Sequence, residues 1–304
     1  MKSASRHSGH GKGLLLVLLA ALCYGLQPLF AKYAYVGGAD PVGLLLARYS
    51  IAAGVLLLIL RRRGIPLPSR HLAIQNFLLG AGYGVSALGY YVASRYVSVG
   101  LAVILVFTFP TFVTAGSIAL LGERTNSLKL VSLTLALGGV LMATGLTISG
   151  SPTGVLWALF SAICYSIAVL YGTHRILHEH PLASAVIVLL GCGTVFVLVA
   201  LFRGASLPSS ALGWWSTVGL ALFSTLIPLT AFLAGASRIG PSSAATVSTL
   251  EPVVAIAVAL MGEQLTSAMI CGGGMVVLAA LLLARRGVVD QGLSDAQTET
   301  ASNR

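Results

Sequence analysis

The sequence predicts an all-α polytopic membrane protein with ten transmembrane helices, arranged as two inverted five-helix repeats. Three observations carry that expectation: the composition, the spacing of apolar runs, and an internal repeat. The 304 residues have a mean hydropathy of +0.93, with 57% hydrophobic and only 9% charged residues. Soluble domains carry about 25% charged residues, and a soluble fold of this size cannot hide so much apolar surface. Composition therefore excludes a free water-soluble enzyme or a nucleic-acid binder, and makes the lipid bilayer the solvent.

A membrane-spanning helix needs about 20 mostly apolar residues. Ten such runs follow one another: 13–34, 41–60, 71–93, 98–121, 127–147, 154–173, 182–202, 211–234, 242–261 and 267–284. The run from Gly13 has no small-x-small exit typical of a cleaved leader, so it reads as a retained first span. Segment 1–12 before it is polar and basic, and reads as a cytoplasmic tail. Residues 287–304 are rich in Ser, Asp, Thr and Gln and read as a disordered cytoplasmic tail. Short connections make consecutive helices antiparallel neighbours.

The net charge of +10 reads as topology. With the N-terminus inside, 13 Lys and Arg residues fall in cytoplasmic segments, among them Arg61, Arg62, Arg63 and Arg70. Only Lys32, Arg95 and Arg203 fall outside. That bias places both termini in the cytoplasm and requires an even number of spans. The four cysteines, Cys23, Cys164, Cys192 and Cys271, lie inside apolar runs without a CxxC pair. They read as reduced, buried thiols, with no metal site and no cofactor.

The two halves match in order. Gly13, Ala21, Cys23, Tyr24 and Leu29 recur as Gly154, Ala162, Cys164, Tyr165 and Leu170. Arg63-Gly64 recurs as Arg203-Gly204, and Ala93-Ser94-Arg95 as Ala236-Ser237-Arg238. Pro110 followed by Gly122-Glu123 recurs as Pro252 followed by Gly262-Glu263. The repeats span 13–147 and 154–286. Each holds five helices, an odd number, so the second copy enters the membrane upside down. Inverted repeats of this kind typify secondary transporters, whose solute site lies near the midplane where the repeats meet.

The segments Phe109-Pro110-Thr111 to Leu121-Gly122-Glu123, and Leu250-Glu251-Pro252-Val253 to Gly262-Glu263, together with Arg48, resemble the EamA family of the drug/metabolite transporter superfamily. The resemblance runs from Gly13 to Arg286. It implies a small-molecule carrier of the cytoplasmic (inner) membrane, typically an exporter of amino acids, metabolites or toxic compounds. It also implies a central cavity built by the first, third, fourth, sixth, eighth and ninth spans. An uptake permease or a proton-coupled drug exporter of the same fold is the alternative.

Several residues are candidates for chemistry. Glu251 lies nine residues from Ser242, about 13.5 Å into its span at 1.5 Å per residue. A charge there costs about 2.5–3.5 kcal/mol, so Glu251 must be protonated, paired or facing water. It reads as a contact for a substrate amine or as a proton-coupling carboxylate, which makes protons a candidate partner; a structural hydrogen bond is the plainer reading. Arg48 lies seven residues from Pro41, about 10 Å deep. It cannot lose its proton and needs an acceptor, and Glu251 at similar depth is a candidate partner for a gating ion pair. Pro110 and Pro252, repeat-related, each remove a helix hydrogen bond and are expected to kink their spans at the site; Pro28 and Pro228 can act alike.

A solute pocket is mostly apolar with a few placed polar groups. Tyr24, Gln27, Tyr83, Tyr90, Tyr91, Thr108, Phe109, Tyr165, Thr230, Phe232 and Ser248 form such an inventory. Tyr24 and Tyr165 stand out because the repeat relates them. Tyr35, Tyr96, Trp214 and Trp215 read as anchors at the interface. Gly80, Gly82, Gly84, Gly138, Gly139 and Gly272 to Gly274 read as packing residues. Glu123 and Glu263 read as helix-end caps.

An enzyme finds no support. The six histidines fall in tails or loops of this map, no aspartate lies in a helix core, and there is no GxxxxGK[ST] motif. A channel would need a repeated polar filter or charge ring, and the spans carry none.

Overall fold

The computed structural model describes residues 2–121, 127–144, 151–175, 181–239, 247, 250–260, 266–279 and 281–282. Among them every regular element is helical. Helix α1 runs Lys2–Gly25, α2 Gln27–Val36, α3 Pro41–Arg63, α4 Arg70–Ala93, α5 Val99–Val106, α6 Phe109–Leu121 and α7 Ser127–Thr144. The second half has α8 Pro152–Arg175, α9 Pro181–Arg203, α10 Ala211–Ala221, a π-helical turn Leu222–Leu226, α11 Ile227–Ile239, α12 Leu250–Leu260 and α13 Ser267–Ala279. Helix α1 starts upstream of Gly13, within the segment expected as a tail, because extending an existing helix adds a hydrogen bond per residue without a new nucleus.

Six stretches are long and apolar enough to cross a bilayer: Gly11–Val36, Pro41–Arg63, Val99–Gly116, Pro152–Tyr171, Leu182–Arg203 and Ala211–Phe232. Large apolar side chains such as Leu141, Leu156, Leu201 and Phe202 point outward from the bundle, as a lipid-facing surface requires. Helix α4 is less apolar, although it has 24 residues. Its Asn76, Ser86 and several glycines are buried, because it packs on α8 and α9 inside the bundle rather than on lipid.

Local chemistry sets the helix ends. Asp40 caps α3, its carboxylate accepting from Gly43 N at 2.6 Å, with Pro41 in the first turn. Gly64 ends α3 in the left-handed conformation at φ 63°. Ser98 and Ser210 cap α5 and α10, each accepting from a backbone N–H at 3.2 Å.

Three expected spans are interrupted, each just before a proline. The first breaks at Leu26 ahead of Pro28, the fourth at Phe107–Thr108 ahead of Pro110, and the eighth at the π turn ahead of Pro228. Proline cannot donate to the carbonyl four residues earlier, so the carbonyls of Tyr24, Val106 and Ser224 lose their usual partner.

The main core lies among α3, α9 and α10, with Leu44, Leu45, Leu56, Phe196 and Leu220 fully enclosed. A second cluster joins α5 to α8, through Leu101, Leu105 and Ala158. Helix α4 meets α9 backbone to backbone. A Cβ on Gly80 would strike the Val188 carbonyl, and one on Gly191 the Phe77 carbonyl, so only glycine permits this crossing. Gly139 and Gly272 meet in the same way between α7 and α13, whereas Gly274 faces open space. Cys23 and Cys192 are buried and Cys164 is half-buried, but Cys271, expected to be buried, is exposed on α13.

Candidate functional site

Among the described residues, Arg48 is the most heavily bonded side chain. It is 5% exposed and projects from α3 toward the π turn. Its Nε donates to Thr225 Oγ1 at 2.7 Å, Nη1 to Tyr91 Oη at 3.0 Å, and Nη2 to the Ser224 carbonyl at 3.2 Å. The guanidinium also lies 5.2 Å from the Tyr49 ring centroid. The Ser224 carbonyl is the one orphaned by Pro228, and Arg48 supplies the donor that proline lacks. Ser224 Oγ in turn donates to the Cys23 carbonyl at 2.7 Å, and Thr225 Oγ1 to the Leu220 carbonyl at 3.0 Å. One cation thus ties α3, α4 and the π turn together, with α1 joined through Ser224. Buried polar groups are nearly always paired, and this network satisfies a helix interruption inside the bundle.

The direct ion pair expected between Arg48 and Glu251 is not formed among the described residues. The two sense each other only at longer range. The donors of Arg48 are taken by acceptors beside it, a backbone carbonyl freed by proline and two hydroxyl oxygens.

The second assembly is aromatic. Tyr83 on α4 lies 5.1 Å from Tyr165 on α8, centroid to centroid. Tyr165 meets Phe109, the first residue of α6, edge-on at 4.6 Å, and Phe107 lies 6.1 Å from Phe109. Ser166 fixes this end of α6 by donating to the Phe109 carbonyl at 2.9 Å. Tyr24 stands at the end of α1, within electrostatic range of Tyr83, Glu251 and Arg48, and Tyr165 is within range of Glu251 and Tyr24. Helix α12 brings Glu251 here because Gly25 lets it lie directly against α1, at Val254. Tyr24, Tyr83, Phe109, Tyr165 and Glu251 are all half-buried. The repeat-related tyrosines, Tyr24 and Tyr165, are thus within electrostatic range of each other.

Gln27 is half-buried at the start of α2, just past the break. Tyr90 packs in the core with its ring 4.9 Å from Tyr91. Thr108 is buried and donates to the Leu105 carbonyl at 2.6 Å, closing its own turn. Thr230 likewise bonds within its own helix. Phe232 packs on Val17 at the α1–α11 contact. Pro110 and Pro252 lie in α6 and α12. Ser248, Glu123 and Glu263 lie outside the described residues. Tyr35, expected at the interface, instead donates to the Tyr91 carbonyl at 3.5 Å and packs against the main core. Thr225, Ser224 and Tyr49 were not among the expected site residues; the readable signal was Pro228, which marks Ser224 four residues earlier.

A helical bundle with apolar outer faces and a polar, aromatic cluster held between its spans defines a membrane transport protein. The chain belongs to the EamA-like transporter family, whose model matches it twice, over residues 11–145 and 152–285. It is 29% identical over 241 residues to the uncharacterized inner membrane transporter YedA of Escherichia coli strain K12, covering 77% of this chain and 78% of that one. It is 24% identical over 293 residues to the uncharacterized transporter YcbK of Bacillus subtilis strain 168, covering 88% and 92%. A solved crystal structure at 18% identity superposes with a TM-score of 0.58 over 91% of this chain and 99% of its own, a likeness of fold.

Proposed function

We propose that this protein is a secondary carrier. Ten spans in two inverted five-helix repeats move a small organic solute, an amino acid or related metabolite, out of the cell by alternating access. Both termini lie in the cytoplasm, and the membrane is the inner one, as the name of the E. coli relative suggests. The observation that carries this reading is the convergence of Tyr24, Tyr83, Phe109, Tyr165 and Glu251 from both matched repeats on one half-buried cluster. That is where an inverted-repeat carrier holds its solute. Protons are the candidate coupling ion, because Glu251 is the carboxylate placed at the cluster.

Purified protein in liposomes tests the reading. A carrier gives saturable flux and counterflow of labelled solute; non-saturating conductance without counterflow refutes it in favour of a channel. Proton coupling predicts that Glu251→Gln flattens the pH dependence of flux. An unchanged pH profile removes that part alone.

A further inference from the structure

Most polar side chains within the described spans have partners. Arg48, Asn76, Ser86, Ser161, Ser166, Thr217 and Ser224 all make hydrogen bonds. Ser132 Oγ is the one fully buried side-chain polar atom without a partner among the described residues; Tyr24, Tyr83, Tyr165 and Glu251 differ from it in being half-buried, and no hydrogen bond among the described residues engages their side chains. They sit on one cluster, from α1, α4, α8 and α12. Polar groups left unpaired inside a bundle mark a place for water or a ligand.

Their chemistry is one-sided. An ionised Glu251 only accepts hydrogen bonds, and each phenol both donates and accepts. The rings of Tyr83, Tyr165 and Phe109 add π faces that attract cations. Arg48 is the one cation in range of Glu251 among the described residues. It is already engaged by Thr225, Tyr91 and Ser224 and is held against Tyr49. A solute carboxylate would have to displace those bonds and approach Glu251; a solute amine meets an open carboxylate.

We infer that this cluster binds its solute through a protonated amine, with the amine on the Glu251 carboxylate and the organic body against the Tyr83, Tyr165 and Phe109 rings. The inference rests on the carrier reading and narrows it: the amine end, not the acid end, decides which solutes bind.

Three probes of one shape test it on the purified full chain: 2-phenylethylamine, 3-phenylpropionate and phenylalanine. Equilibrium binding and thermal shift are read first, then counterflow in liposomes. The expected result is saturable binding of 2-phenylethylamine at least about tenfold tighter than 3-phenylpropionate. Glu251→Gln should lose about tenfold or more in amine affinity while the ligand-free protein still melts cooperatively. Glu251→Asp, which keeps the charge, should retain the preference for amine over acid. Any of three results overturns the inference: the acid binds as tightly as the amine, neither the amine nor phenylalanine binds a cooperatively melting protein, or Glu251→Gln leaves amine affinity unchanged. Amine binding without counterflow would instead refute the carrier reading and leave the amine site standing. Counterflow of the acid would do the reverse.

Discussion

Two helix crossings of this bundle are copies of one another in sequence and differ in build. Helix α4 crosses α8; α11, with the π turn before it, crosses α1. The repeat relates α1 to α8 through Tyr24 and Tyr165, and α4 to α11 through Ala93 and Ala236. At the first crossing both helices run unbroken for 24 residues. Ser86 and Ser161 clasp them, each hydroxyl donating to the other's carbonyl, at 2.9 and 2.7 Å. At the second, α1 stops at Gly25 and α10 gives way to the π turn. Among the described residues one such bond, Ser224 to Cys23, joins them. Inside a membrane every freed backbone group needs a protein partner, and here Arg48 supplies one from a third helix. Duplication gave both crossings the same plan, and prolines 28 and 228 softened one of them. A change of access needs a few positions that absorb large backbone rotations. On the carrier reading proposed above, the interruptions at Leu26 and the π turn would be those positions, and the clasped crossing has no interruption of this kind.

The largest effect expected is at Arg48. Replacing it by Leu strips donors from the Ser224 carbonyl, Thr225 and Tyr91 together. Thr225 Oγ1 keeps its bond to the Leu220 carbonyl, but the other two groups are left unpaired at about 1–3 kcal/mol each, so the total loss should be at least about 2 kcal/mol. Thermal melting in detergent and flux in liposomes should both fall sharply. A melt unchanged from wild type would show that the broken crossing does not depend on its third-helix donor.

Pro228→Ala sharpens the comparison. It returns an N–H that can reach the Ser224 carbonyl, so the eighth span can close into a regular helix. Melting should hold or rise and turnover should fall. In a double-mutant cycle with Arg48→Gln, the cost of losing Arg48 should shrink by about 1 kcal/mol. Simple additivity would mean that Arg48 does not stand in for the missing donor.

These two crossings also show what the sequence makes readable. Hydropathy located the six long apolar stretches among the described residues, because lipid imposes length and composition together. The prolines announced the breaks at Leu26, Phe107–Thr108 and the π turn. Repeat matching singled out Tyr24 and Tyr165, which lie within electrostatic range of each other. The partner of Arg48 was not readable by weighing charges. Its acceptors are a backbone carbonyl and two hydroxyls, and a carbonyl has no letter of its own. Only the rule that proline orphans the carbonyl four residues back points to Ser224. Phe232 looked equally suited to a pocket, yet residue type and depth do not say which way a helix is turned, and it faces Val17.

The smallest effects belong to the clasped crossing, and they break the comparison most cleanly if they go wrong. Ser86→Ala and Ser161→Ala each remove one hydroxyl-to-carbonyl bond and leave the helices straight. Each should cost about 0.5–1.5 kcal/mol. The hydroxyls also lie 3.1 Å apart, so the double variant should lose less than the sum of the two. Turnover, measured below the melting range, should stay near wild type in all three proteins, because a rigid contact that does not rearrange adds the same free energy to both access states. A change in turnover larger than the change in stability would place this seam among the moving parts, and the contrast between the two crossings would then be one of sequence alone.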